Sequence, residues 1–286
     1  MTILEIFESK AKLNEAQIGI GLGQSKEQNL KILEACLEFL EAYKSKILIF
    51  GNEIAIDHLK NNNEHIENHE YIDLITSKEP EQEIINFLSN NMINAVIRGS
   101  LSSSKFLKKL KLELNISEVN RLALLETYSG FQFFYGPVGI DECNDIDSKL
   151  IFVNKAINEM QSLNIEPKIS ILSGGRLSDI GRDPKVDKTI TIAEEVVDHI
   201  KKEHPSLEIN HDEILIEKAI SNKSNLIIAP DGLSGNLIYR TLVHLGDGKA
   251  YGAIYMDLNK IIIDTSRVGK ISELKGALLL ALALVR

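Results

Sequence analysis

Apolar residues recur along this chain in two different periods. From Glu27 to Tyr43 they fall at helical spacing (Leu30, Leu33, Leu37, Leu40), a single stripe that an α-helix would bury. Residues 17–23, 46–51, 71–75 and 95–97 are instead short, nearly continuous apolar runs bounded by glycine or polar residues. That is the pattern of strands buried on both faces. Amphipathic stretches at 79–90 and 104–112 fill the intervals, and strands alternating with helices predict an α/β fold on a parallel sheet. Two further apolar runs, 121–125 and 131–135, end at Gly136-Pro137, which punctuates the chain. A second α/β unit follows, with helices expected over 148–163, 187–201 and 212–219 and strands over 168–172 and 225–229. The strand-like region 250–255 and the run 257–263 lead to a closing helix of small residues and leucines over 276–284.

Composition narrows the functional classes. The chain has 286 residues, a length of about two domains. With 44% hydrophobic and 26% charged residues it is an ordinary globular sequence. Thirty-two basic against 41 acidic residues give a net charge of −9, which opposes broad binding to phosphate backbones. No nucleic-acid partner is expected, although net charge does not preclude one local phosphate pocket. Cys36 and Cys143 lie far apart and read as packed small hydrophobes in a reducing compartment. The N-terminal Met1-Thr-Ile-Leu-Glu5 carries an acid where a signal peptide carries basic residues, and no run approaches the ~18 apolar residues of a membrane span. A cytoplasmic protein with no membrane partner is expected. The seven histidines show no zinc-ligand spacing, and His65 and His69 read as a solvated face, so no metal is expected.

In a parallel sheet, ligands bind beyond the carboxyl ends of strands. Five places qualify. Gly19-Ile-Gly21-Leu-Gly23 lacks dinucleotide spacing and reads as a tight turn or a phosphate contact. At Arg98-Gly99-Ser100-Leu-Ser102-Ser-Ser104 the hydroxyls could cap the next helix, and Arg98 could reach an anion at its N-terminus. Ser173-Gly174-Gly175-Arg176, with Asp179, Gly181, Arg182 and Asp183 behind it, offers close backbone approach and two anion-binding guanidinium groups. The competing reading is a surface loop held by Arg–Asp pairs. Pro230-Asp231-Gly-Leu-Ser234-Gly235-Asn236 combines a turn-forming Asp231, a close-approach Gly235 and an Asn236 that could cap a helix or bind a ligand. Asp264-Thr-Ser266-Arg267 leads to Ser272 and Glu273, with Ser272 a candidate cap.

The last two places resemble the phosphate acetyl/butyryltransferase family. The stretch Asn225–Arg240, then Val243-His-Leu245-Gly246, then Ala253–Glu273 follows that family's Pro-Asp-x-x-x-Gly-Asn segment, its Leu-Gly turn and its Asp-x-Ser-Arg segment with an acid six residues on. Ile165–Ser173 is similar to the family's helix-to-strand passage, and the likeness covers about the second half of the chain. It implies two α/β domains around a cleft, the architecture of isocitrate and isopropylmalate dehydrogenases. Residues 1–135 plus 256–286 would form the first domain and 136–255 the second. It also implies acyl transfer between coenzyme A, a substrate rather than a resident cofactor, and phosphate. Glu273 would be the base, Arg267 the anion clamp and Ser266 a hydrogen-bond donor, with Arg98, Ser100, Ser173, Gly174, Gly175, Arg176, Arg182, Asp231, Gly235 and Asn236 lining the substrate. A homodimer is implied on the same ground.

Three places depart from that pattern. Glu273 stands where the family has Asp, Val268-Gly269-Lys270 replaces Gly-Cys-Ser, and the Ser173–Arg182 loop replaces Ser-Thr-Lys-Gly. That loop resembles the methanogen-restricted MtxX branch, labelled a methyltransferase, and membership would imply an archaeal protein of methane metabolism. The residues themselves carry no corrinoid motif of the Asp-x-His-x-x-Gly type. A non-catalytic ligand sensor is a third reading. A nicotinamide dehydrogenase would need clustered aspartates for a metal, which the spacing of Asp231 and Asp257 does not provide.

Overall fold

The computed structural model describes residues 1–285, which fall into two compact units, Met1–Val119 with Ala250 onward, and Asn120–Lys249.

The first unit opens with α1 (Ile3–Ala11), whose N-terminus is closed reciprocally by Thr2 and Glu5. The acid in the opening residues is therefore half of a capping box. Then follow β1 (Ala16–Gly21), α2 (Lys26–Ala42), β2 (Ser45–Gly51), α3 (Glu53–Asn62), β3 (Ile72–Thr76), α4 (Pro80–Ser89), β4 (Ala95–Ile97) and α5 (Ser103–Glu113). The chain returns to this unit later as β10 (Lys249–Tyr255), β11 (Ile261–Asp264) and α10 (Ile271–Leu284). Its strand order is β3-β2-β1-β4-β11-β10, parallel from β3 to β11, with β10 antiparallel to β11. In register, Ile20 and Ile263 both pair with Ile97, so the residues leaving β1, β4 and β11 emerge side by side at one end. Helix α10 is buried around nearly its whole circumference and packs against α1 and α2, which explains its lack of polar stripe. Gly276 lets it approach β10, since a Cβ there would lie 2.6 Å from Tyr251 Cα.

The second unit contains β5 (Arg121–Glu126), β6 (Gln132–Gly136), α6 (Ile146–Ser162), β7 (Lys168–Leu172), α7 (Pro184–Glu203), β8 (Glu208–Glu213), α8 (Ile216–Ser221), β9 (Leu226–Ile228) and α9 (Gly232–His244). Its strand order is β5-β6-β9-β7-β8. All pairs are parallel except the β5–β6 hairpin. Gly136 and Ile171 both pair with Ile228, which brings the loops after β6, β9 and β7 to a common end.

The α/β class stands, with three corrections in detail. The sheets are mixed rather than parallel throughout, because β5–β6 and β10–β11 run antiparallel. The helix expected over 212–219 is replaced by the end of β8 and the short α8, because Asp212 is buried in the strand by Ser170 Oγ at 2.8 Å and Lys218 Nζ at 3.1 Å. Helices α9 and α10 begin about five residues before their first strong apolar repeats, at Gly232 and Ile271.

Candidate functional site

In the first unit, three loops converge beyond β1, β4 and β11. Arg98, only 4% exposed, donates through Nε to Asp264 Oδ1, through Nη1 to Leu101 O at 2.7 Å and through Nη2 to Thr265 O. Thr265 Oγ1 donates to Gly99 O at 3.0 Å, so the β4 and β11 loops are laced together. Gly99 takes φ +61°, the left-handed region, where a side chain would also run into Gly21 O. Gly23 N donates to Ser100 Oγ at 2.7 Å, and Ser100 Oγ donates to Asn29 Oδ1 at 2.9 Å. Gln28 Nε2 donates to Gly269 O at 3.0 Å. Gln28 and Asn29 lie one helical turn ahead of Ile32 and Leu33 on the buried stripe of α2, so they enter this cluster as polar members of an apolar face.

The turn after Thr265 carries Ser266 and Arg267 and is closed by Glu273. Glu273, 3% exposed, reaches back from the first turn of α10, and its Oε1 accepts from Ser266 N at 2.6 Å. Gly269 allows this fold-back, because a Cβ there would stand 2.7 Å from Glu273 Oε2. Ser266 is half-buried and Arg267 exposed above that clamp. The arrangement fixes a turn that offers a hydroxyl and a guanidinium to an anion.

The second unit gathers two groups of loop residues. After β7, Ser173 Oγ lies 2.8 Å from Gly175 O and 2.8 Å from His211 Nε2. With the one hydroxyl hydrogen given to Gly175 O, Nε2 must be the donor in the second contact. His211 is half-buried, and burial holds its pKa below the usual histidine value. Gly174 N donates to Thr189 Oγ1 at 2.8 Å, tying the loop to α7. Asp179 accepts from Arg176 N at 2.9 Å and from Arg182 Nη1, and these bonds, the backbone one foremost, hold its carboxyl below the usual range. An open depression of about 440 Å³ results, lined in part by Gly174, Gly175, Arg176, Arg182, Val186 and Ile214.

After β9, Asp231 caps α9 by accepting from Ser234 N at 2.8 Å. Lys149 Nζ donates to Pro230 O at 2.5 Å from a fully buried position, and desolvation lowers its pKa against the pull of Cys143 and Asp231. Asn236 Nδ2 donates to Val138 O at 2.9 Å, and Gly235 abuts Pro137 O, so both dock α9 onto the loop after β6. That loop is pinned by Arg121 Nε, 2.7 Å from Glu142 Oε1. Burial raises the Glu142 pKa, opposed by Arg121.

Several sequence expectations change. Arg98 does not reach for an anion at α5, because its guanidinium is turned onto Asp264 and the carbonyls of Gly99, Leu101 and Thr265. Ser102 is the N-cap residue of α5 without a side-chain cap bond. Asn236 lies inside α9, whose cap is Asp231, and Ser272 lies inside α10, whose N-cap is Lys270. Sequence reading missed His211, Lys149, Gln28 and Asn29. Lys149 was detectable as a charge on the stripe that continues through Phe152, Val153, Ala156 and Met160. Among the described residues no group of three or more His, Cys, Asp or Glu is placed to hold a metal ion, and no helix is long and apolar enough to cross a membrane.

No family model matches the chain. A curated protein of Methanosarcina mazei, "Putative methyltransferase mtx subunit X", is 36% identical over 282 residues, covering 99% of this chain and 95% of that one. Among solved structures, a phosphotransacetylase from Streptococcus pyogenes superposes with TM-score 0.73 at 15% identity, covering 100% of this chain and 99% of that one. A 4-hydroxythreonine-4-phosphate dehydrogenase from Klebsiella pneumoniae gives TM-score 0.60 at 9% identity, over 95% and 100% of the two chains. The fold is thus of the phosphotransacetylase and dehydrogenase type.

Proposed function

Because the chain belongs to the mtx subunit X family, we propose that it is a group transferase that handles a phosphorylated or coenzyme A-like ligand through the Ser266–Arg267 turn. The observation that carries this is the clamp between Glu273 Oε1 and Ser266 N at 2.6 Å, which holds that turn with Arg267 exposed upon it. In the acyl-transfer form, Glu273 takes the thiol proton and the thiolate forms a bond to the acyl carbon of an acyl phosphate. The carbon–oxygen bond to phosphate then breaks, and phosphate leaves with the electron pair. Arg267 and Ser266 neutralise the developing oxyanion and the departing phosphate. Arg98 and Asp264 act beneath them as positioning residues.

Methyl transfer is the second reading, and the name carried by the Methanosarcina mazei relative favours it. It would make the protein a component of archaeal methane metabolism, with a methyl donor as its ligand. A homodimer belongs to either reading, and light scattering of the purified protein tests it.

The deciding experiment is calorimetric titration with coenzyme A, with and without phosphate, on the wild type and Arg267→Ala. Micromolar binding lost in Arg267→Ala, followed by acyl-phosphate-dependent thioester formation, supports acyl transfer. Failure of coenzyme A to bind folded protein, with binding of a methyl donor or a methylated corrinoid protein, moves the assignment to methyl transfer. Failure of all three leaves a ligand-binding relative without catalysis.

A further inference from the structure

Helix α9 packs onto its own unit through glycine and shows leucine to solvent. A Cβ on Gly232 would stand 1.7 Å from Gly139 O, and one on Gly235 2.0 Å from Pro137 O, so backbone meets backbone on the inner side. Of its 13 residues, Gly232, Gly235 and Val243 are buried. Leu233 is 62% exposed and Leu237 66%. One turn apart, they share a face with the exposed Arg240 and Thr241. A surface helix ordinarily buries its large apolar residues and turns polar ones outward, and α9 does the reverse.

The apolar strip runs past both ends of the helix. Ile140 is exposed on the loop that Gly232 packs against, and Leu245 is exposed at the C-cap. Just beyond, a Cβ on Gly248 would lie 2.9 Å from Glu126 O, so the chain there meets the β5–β6 hairpin, whose turn carries the exposed Tyr128. Exposed apolar residues gathered in this way mark a surface that another molecule covers.

Charge narrows what that molecule is. The chain carries −9, so a second copy is repelled from an average part of its surface. Helix α9 contains no Asp or Glu, whereas every other α-helix among the described residues contains at least one. Of the four residues on its exposed face Arg240 alone is charged, which leaves little to select an acidic or a basic partner. A two-fold axis makes such a face complementary to itself: two antiparallel copies of α9 set Leu233 and Leu237 of each against those of the other. A specific interface buries about 800 Å² per partner, more than one helix face provides, so the strip at Ile140, Leu245 and Tyr128 belongs to it.

We propose that two copies of the chain dimerise through this face, α9 against α9. The proposal rests on the homodimer of the reading above, to which it gives a surface, and holds whichever group is transferred.

The test is sedimentation equilibrium of the wild type, Leu233→Glu/Leu237→Glu and Leu112→Glu, with circular dichroism to establish folding. Leu112, 77% exposed on α5, is the control for adding charge at an exposed leucine elsewhere. The expected result is a dimeric wild type, a dissociation constant raised by roughly a hundredfold or more in the folded double variant, and no change in Leu112→Glu. A dimer that the double variant leaves intact overturns this surface and keeps the homodimer, and a monomeric wild type overturns both. Equal dissociation by Leu112→Glu, or loss of fold in the double variant, would also overturn it. Failure of coenzyme A and methyl donors to bind a wild type that dimerises through α9 would count against the transferase reading and leave the interface standing.

Discussion

Glu273 holds Ser266 across seven residues: its Oε1 accepts from the Ser266 amide at 2.6 Å and closes the turn on which Arg267 stands. The carboxylate thus joins the stability of α10's first turn to the geometry of the candidate anion site. Hydrogen bonds to charged groups contribute about 1.5–3 kcal/mol, so Glu273→Ala should lower unfolding free energy by that amount in urea titration. Glu273→Gln keeps an oxygen acceptor and should retain most of the stability. If Glu273 takes the thiol proton, Glu273→Gln abolishes turnover while coenzyme A affinity stays, whereas a purely positioning role leaves turnover near wild type.

Arg98 and Asp264 form the buried ion pair beneath the same turn. Removing one partner strands the other in a low-dielectric site. Arg98→Met should cost about 3–5 kcal/mol. The double variant Arg98→Met/Asp264→Leu should be less destabilised than the sum of the singles, because neither charge is then left alone. Denaturant unfolding of the four proteins closes the cycle, and strict additivity would refute the coupling.

Gly276 is where α10 meets β10. A Cβ there would sit 2.6 Å from Tyr251 Cα and 2.7 Å from its Cβ, neither of which is a flexible side-chain end. Gly276→Ala should therefore destabilise by about 1–3 kcal/mol despite its gain in helix propensity. An unchanged melting temperature would mean that the helix can shift without loss.

His211 gives a pH dependence of definite sign. Its folded pKa lies below the unfolded value of about 6.5. Between the two values the unfolded chain binds a proton that the folded chain does not, so its contribution falls as pH drops through about 6.5 and levels off below the folded pKa. The melting temperature of the wild type should fall more steeply from about pH 7 to pH 5 than that of His211→Gln. Parallel curves would assign the acid sensitivity to other groups.

Much of the architecture was legible because it is written in local periodicity. Strand β7 runs over 168–172 as its apolar pattern predicts, and α2 and α6 follow their stripes to within two residues at either end. Strand β8 was not legible, since Glu-Ile-Asn-His-Asp-Glu has no strand-like apolar run. It is a strand because β7 offers it a partner and because Ser170 and Lys218 satisfy Asp212. The loop Gly174–Arg182 was legible as a glycine- and arginine-rich turn after a strand, whereas His211, which contacts it, lies 38 residues from Ser173 and gave no signal.

The sequence by itself determined the α/β class, the order of most elements and the loops where polar residues follow apolar strands, because period and punctuation are properties of neighbouring residues. Only the tertiary structure decided which of those polar residues satisfy one another and which are left exposed at the loop surface. Arg98 and Asp264 are separated by 166 residues, and their pairing turns an expected anion binder into a strut. Whether a buried charge finds its partner inside the protein or in a ligand depends on which strand ends the fold places side by side, and the register of β4 between β1 and β11 supplies that information here.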